Sequence, residues 1–191
     1  MVKQMKIYVV GGGMGREDLL TDYAKGIIHS SDIVLTTDRL FENLAVSHPN
    51  KKKMKINEMD AFLLSACKTD QTVCIIASGD VGFFSIAKSI QEKWSNMCEV
   101  EFVSGISSLQ YFTSKLQRSY DDIKIISLHG RNKSVVPYVC YNKTVFCLTG
   151  SNKSADQIIR ELVESGLEDV FVSIGENLSS DRERIVSAAA K

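Results

Sequence analysis

Short apolar, β-branched runs alternate along the chain with segments whose hydrophobic residues recur at helical spacing. That alternation predicts an α/β fold. The runs in the first half are KIYVV (6–10), DIVLTT (32–37), KMKI (53–56), TVCIIAS (72–78) and EVEFVS (99–104). Between the first two, Leu19, Leu20, Tyr23, Ala24, Ile27 and Ile28 fall on one helical face. Further helices are expected over about 38–45, 58–69, 83–94 and 107–116. Together these elements predict a first α/β domain, residues 1–116, on a mostly parallel five-stranded sheet.

The polar stretch QRSYDD (117–122) interrupts the pattern and marks a domain boundary. A second α/β domain, residues 121–191, is expected around strands at 124–129, 144–149, 169–175 and 184–188 in a mixed sheet. Its best-signalled helix follows Ser154. That serine is an N-cap, Asp156 lies in the first turn, and Ala155, Ile158, Ile159, Leu162 and Val163 share a face before Gly166 stops the helix.

Composition narrows the function. The 191 residues carry 23 Lys plus Arg against 23 Asp plus Glu, so no global field recruits nucleic acid or an anionic membrane, and anionic ligands must be met by local groups. The apolar run before Gly11 is too short for a membrane span or a signal-peptide core, which predicts a cytoplasmic protein. Five cysteines without a CxxC pair suggest neither a disulfide framework nor a zinc site, and no metal is expected. Cys74 and Cys147 sit in apolar runs and read as core packing.

The stretch YVVGGGMGRED (8–18) places a glycine-rich turn between a strand and a helix. A dinucleotide fingerprint needs GxGxxG, and Arg16 occupies its third glycine position. Asp38 stands near the interval of the companion acid, so a nicotinamide-dependent oxidoreductase using Gly11, Gly13 and Asp38 remains an alternative. The spacing that fits without a gap is Gly11, Gly13 and Gly15, followed by Leu19, Leu20 and Thr21.

That series resembles the GxGPGxxxLLT opening of the tetrapyrrole (corrin/porphyrin) methylase family, with Met14 in place of proline and Arg16 in place of an acid. Ser78-Gly79-Asp80-Val81-Gly82-Phe83-Phe84 is similar to the family's SGDPxFY loop, and Gly105-Ile106-Ser107-Ser108 to its PGISS turn. Val81 and Ser104 replace prolines, which loosens the loops through the unfolded chain without removing ligand groups. Ser127-Leu128-His129-Gly130-Arg131, Gly175-Glu176-Asn177-Leu178 and Glu183-Arg184-Ile185 resemble the C5-methylating branch of cobalamin biosynthesis, the CbiE type that acts on cobalt-precorrin-7. The resemblance runs from about residue 6 to residue 186.

The resemblance implies S-adenosylmethionine as methyl donor, held folded between two domains, and an electron-rich ring carbon of a tetrapyrrole as acceptor. In-line transfer then asks the protein chiefly to position two large ligands, and no residue is assigned as a catalytic acid or base. Gly79, Asp80, Phe83, Ser107, Ser108 and Leu148 are the residues it assigns to the methyl donor. The acceptor's acetate and propionate arms need local partners, for which the candidates are Gly13, Met14, Gly15 and Arg16 on the glycine loop, with His129 and Arg131 on the SLHGR turn. His29 and His48 fall in expected surface turns and receive no role.

The resemblance further implies a homodimer, and a separate partner for C15 methylation and decarboxylation, an activity that fused relatives carry in an additional domain. Other readings stay open: a methyltransferase of the same fold acting on a different precorrin carbon, a diphthine-type enzyme modifying a protein, and a non-enzymatic tetrapyrrole carrier.

Overall fold

The computed structural model describes residues 5–44, 47–130, 133–150 and 153–191, the side chains of Asp38, Arg39 and Asn43 excepted. The chain divides into two compact units, Met1–Ser108 and Leu109–Lys191.

The first unit is built on strands β1 (Lys6–Gly11), β2 (Ile33–Thr36), β3 (Lys51–Lys53), β4 (Thr72–Ala77) and β5 (Glu99–Val103), in the order β3-β2-β4-β1-β5. Every pairing is parallel, with Gly11 opposite Ala77 on one side of β1 and Val10 opposite Val103 on the other. The connecting helices are α1 (Asp22–Ser30), α2 (Asp38–Asn43), α3 (Ile56–Ala66) and α4 (Ala87–Trp94), and α5 (Ser108–Lys115) follows β5.

Strand alternation sorts the apolar residues onto two faces, as a parallel sheet covered by helices on both sides requires. Ile7, Val9, Leu35 and Ile75 pack with Met59 and Leu63 of α3 and with Ala87, Ile90 and Trp94 of α4. Val10, Val34, Cys74 and Ile76 pack on the other face with Ala24 and Ile28 of α1 and Leu40 of α2. Cys74 is fully buried, which pushes its thiol up to about 12 and leaves it inert packing.

Several element boundaries differ from the periodicity. The helical face begins later than Leu19: Glu17–Leu19 is a short 3-10 turn, and Thr21 caps α1 by accepting the Ala24 N–H at 3.1 Å. Tyr23 is 58% exposed and turns outward, donating its hydroxyl to Glu101. His29 lies in the last turn of α1 rather than in a loop. The strand expected at 53–56 ends at Lys53, because α3 starts at Ile56, its first turn fastened by the Glu58 carboxylate, which accepts the Lys55 N–H at 3.0 Å. The helix expected from residue 83 starts at Ala87, since Phe84 adopts the left-handed region (φ 49°), which no helix continues through.

In the second unit β6 (Lys124–Ser127) pairs parallel with β7 (Val145–Leu148), and β8 (Phe171–Glu176) pairs antiparallel with β9 (Arg184–Ala189). Its core joins Ile126 and Leu128 to Val135, to Ile158 and Leu162 of α7 (Ala155–Glu164), and to Ala190. The cap and stop of α7 hold: Ser154 Oγ accepts the Gln157 N–H, Gln157 Oε1 accepts the Ser154 N–H at 2.9 Å, and Gly166 takes a positive φ, whereas Val163, expected on the apolar face, is exposed. One further helix, α6 (Val136–Tyr141), has no counterpart in the periodicity, and Pro137 sits in its first turn, where a missing N–H costs nothing. Cys147 is half-buried rather than fully enclosed.

Candidate active site

Adjacent strands β1 and β4 feed α1 and α4 on opposite faces of the sheet, so beyond their first residues the connections diverge toward opposite sides. In open α/β sheets that divergence opens a crevice where ligands bind. Three glycine-bearing loops meet there by backbone contact. Gly13 and Gly79 exchange N–H···O bonds of 3.1 and 2.7 Å, bridging the loops after β1 and β4. Gly105, after β5, lies against both: a Cβ on it would come within 2.5 Å of the Gly11 and Gly79 carbonyl oxygens. Only glycine allows this approach.

Asp80 fastens the arrangement. One carboxylate oxygen accepts the Gly82 N–H at 2.8 Å and the other accepts the Gly105 N–H at 3.0 Å. Each oxygen retains a further lone pair. Gly79 holds φ +70°, with Ser107 and the Ser108 nitrogen as the nearest neighbours of its open face, so the SGD loop lies along the start of α5. Ser107 is buried, Ser108 half-buried, and Phe83 half-buried. The five methyl-donor candidates of this unit, Gly79, Asp80, Phe83, Ser107 and Ser108, therefore come from the adjoining loops that follow β4 and β5.

On the glycine loop Gly13 and Gly15 both take positive φ, and the Gly15 N–H donates to the Gly12 carbonyl. Met14 is half-buried beside them. Arg16 is exposed and forks onto Asp18 through Nε at 2.9 Å and Nη2 at 2.5 Å, which holds the Asp18 carboxyl below the usual range. A substrate carboxylate would have to replace Asp18 on that fork. The loop does not run straight into a helix: α1 begins at Asp22, well past Gly15. A dinucleotide pyrophosphate needs a helix N-terminus at the glycines, and the order β3-β2-β4-β1-β5 does not place β2 beside β1 as that fold does.

The second unit carries the remaining candidates. Leu148 ends β7, half-buried, and its carbonyl accepts the Leu128 N–H at 2.9 Å. His129 follows at the carboxyl end of β6, exposed, with its ring lying on Gly150 so closely that a Cβ there would collide with Nδ1. Arg131 lies outside the described residues. Sequence reasoning missed what fixes this platform. Gly150 and Lys153 exchange backbone hydrogen bonds, and the buried Lys153 ammonium pairs with Glu161 of α7 while donating to the Lys133 carbonyl at 2.9 Å. A lysine just before an N-cap serine gives no sign that it turns inward.

The model of the tetrapyrrole (corrin/porphyrin) methylases matches residues 6–191. The chain is a tetrapyrrole methylase. The methylase is 27% identical to a probable cobalt-precorrin-7 C(5)-methyltransferase of Methanocaldococcus jannaschii, over 94% of this chain and 87% of that protein. It is 31% identical to the cobalt-precorrin-7 C(5)-methyltransferase of Salmonella typhimurium over 63% of this chain, spanning 59% of that relative's length. Its fold matches that of a uroporphyrin-III C-methyltransferase from Thermus thermophilus, complexed with S-adenosylhomocysteine, with a TM-score of 0.79 at 23% identity, covering 97% of this chain and 88% of that one. Membership makes this chain a methyltransferase, and the methyl donor of the family is S-adenosylmethionine.

Proposed function

We propose that this methylase transfers a methyl group from S-adenosylmethionine to C5 of precorrin-7 or cobalt-precorrin-7 in cobalamin biosynthesis. The observation that carries the reading is the similarity to the Methanocaldococcus jannaschii C(5)-methyltransferase, which extends over nearly the whole of both chains. The SLHGR, GENL and ERI segments, which resemble the C5-methylating branch, support the same reading.

The residues present suit the methyl donor. Gly79 offers an open face at positive φ, the first turn of α5 offers N–H groups suited to a carboxylate, and the Ser107 and Ser108 hydroxyls stand beside them. When bound, S-adenosylmethionine supplies an electrophilic methyl group. In this reading Asp80 holds the Gly79 and Gly105 loops in register before the ligand arrives, Phe83 adds apolar surface beside them, and Leu148 is the residue of the second unit assigned to the methyl donor. Gly13, Met14, Gly15, Arg16, His129 and Arg131 bind the acceptor's carboxylate arms. The protein works as a homodimer, and methylation at C15 with decarboxylation falls to a separate partner enzyme.

The test is an incubation of the methylase with cobalt-precorrin-7 and donor carrying a 13C-labelled methyl. One labelled methyl at C5, located by NMR, is expected. A label on another ring carbon overturns the C5 assignment while leaving a tetrapyrrole methylase, and transfer to protein alone overturns the acceptor class.

A further inference from the structure

Phe84 combines two features that a packing residue does not show together. Its backbone stands at φ 49°, a region costly for a bulky side chain, and its side chain is 52% exposed. The ring contact it makes in return is an edge-on approach to Phe83, with centroids 5.0 Å apart and planes at 70°. Half-exposed phenyl surface recovers little of the free energy that full burial gives, so folding alone gives no reason for this conformation. Strained residues persist where their surroundings over-determine them, and the surroundings here do so. Asp80 pins the turn twice, through the Gly82 N–H and through a Phe83 N–H donated to its own carbonyl at 3.2 Å, while its other oxygen anchors on Gly105. Phe84 follows this pinned turn, past the carboxyl end of β4.

We propose that Phe84 is a recognition residue for the acceptor, offering its exposed ring face to the conjugated macrocycle. The inference rests on the reading of the chain as a tetrapyrrole methyltransferase and adds a residue to it. Phe83 and Phe84 divide the work by depth. Phe83, half-buried and adjacent to the Asp80 turn, belongs with the recessed methyl-donor residues, whereas Phe84 stands outside it and meets the broader ligand. A macrocycle with carboxylates at its rim and an apolar centre needs such a surface as well as cationic partners, and an aromatic face supplies it with little side-chain entropy to lose.

Phe84→Gly separates this role from a structural one, because glycine removes the ring and relieves the backbone at once. The full chain, wild type and variant, is titrated with uroporphyrin III, a stable carboxylated macrocycle followed by its Soret band, and separately with S-adenosylmethionine by calorimetry. Macrocycle affinity is expected to fall about tenfold in Phe84→Gly and to be retained in Phe84→Tyr, with methyl-donor affinity within about twofold and a melting temperature equal to or above wild type. Equal macrocycle affinity in wild type and Phe84→Gly, or none in either, overturns the proposal. So does a loss confined to methyl-donor binding, or a lowered melting temperature that accounts for the whole effect. The 13C experiment on cobalt-precorrin-7 decides the C5 reading independently, since macrocycle binding does not depend on which carbon is methylated.

Discussion

The carboxylate of Asp80 accepts the backbone N–H of Gly105 at 3.0 Å across 25 residues of sequence, joining the loop after β4 to the loop after β5. Its other oxygen accepts from Gly82 within the same loop. One side chain thus sets the conformation of its own turn and the distance to the next. Asp80→Ala leaves the partly buried Gly105 N–H and the exposed Gly82 N–H without these acceptors, the first of which costs about 1–3 kcal/mol of stability. Methyl-donor affinity by calorimetry is expected to fall tenfold or more, and Asp80→Asn, which keeps one carbonyl acceptor, to fall less. Normal methyl-donor binding by Asp80→Ala would remove this loop from the donor site.

Gly105→Ala is expected to be worse than Asp80→Ala, because the added carbon meets backbone rather than a movable side chain. The Gly11 and Gly79 carbonyl oxygens both lie at 2.5 Å from it, and neither can yield without parting β1 from β4 or β5. Overpacking of this kind costs about 1–3 kcal/mol or more. Chemical denaturation should show the lowered midpoint, with methyl-donor binding lost even in the fraction that folds.

On the second unit the same change has the opposite character. The three atoms nearest a Cβ on Gly150 all belong to the His129 ring, and an exposed ring at a strand end can swing away. Gly150→Ala should therefore leave stability within about 0.5 kcal/mol while displacing the imidazole. If His129 binds an acceptor carboxylate, both Gly150→Ala and His129→Ala raise the KM for the tetrapyrrole and leave methyl-donor affinity near normal. Loss of methyl-donor affinity in His129→Ala would contradict that assignment.

Acid stability has a defined contributor at Glu183. The Tyr111 hydroxyl donates to its carboxylate at 2.7 Å and the Ser179 N–H at 2.6 Å, and these hold its carboxyl below the usual 4.5. A depressed carboxyl stabilises the fold fully above its unfolded value and loses that contribution as pH falls through its folded value. The gap in melting temperature between wild type and Glu183→Gln is thus expected to be present near neutral pH and to close as the pH falls through the acid range below the usual carboxylate value. An unchanged gap down to about pH 3 would mean that Glu183 acts through shape rather than charge.

Much of the first unit was legible because local rules and global fold agree there. Alternating Ile7, Val9, Val34, Leu35 and Ile75 can only bury both sets of side chains in a sheet covered on two faces. The glycine, SGD and GISS motifs were visible as short patterns, and so were the cap and stop of α7. The start of α4 was not legible, because the helical period continues through Phe83 and Phe84 while the backbone there turns left-handed. Nor was α6, where Pro137 reads as a breaker in sequence and serves as a first-turn residue in the fold.

By itself, then, the sequence determined most of the strands and helices, the glycine-bearing loops between them, and which family the pattern resembles, since all of these rest on spacings of a few residues. Only the tertiary structure decided that Gly11, Gly79 and Gly105 stand backbone to backbone, that Asp80 spends both oxygens holding two loops together, and that Lys153 is buried against Glu161. The physical reason is the same in each case. Strand order brings together residues dozens of positions apart, and no local propensity records which backbone N–H or which carboxylate will be waiting when they meet.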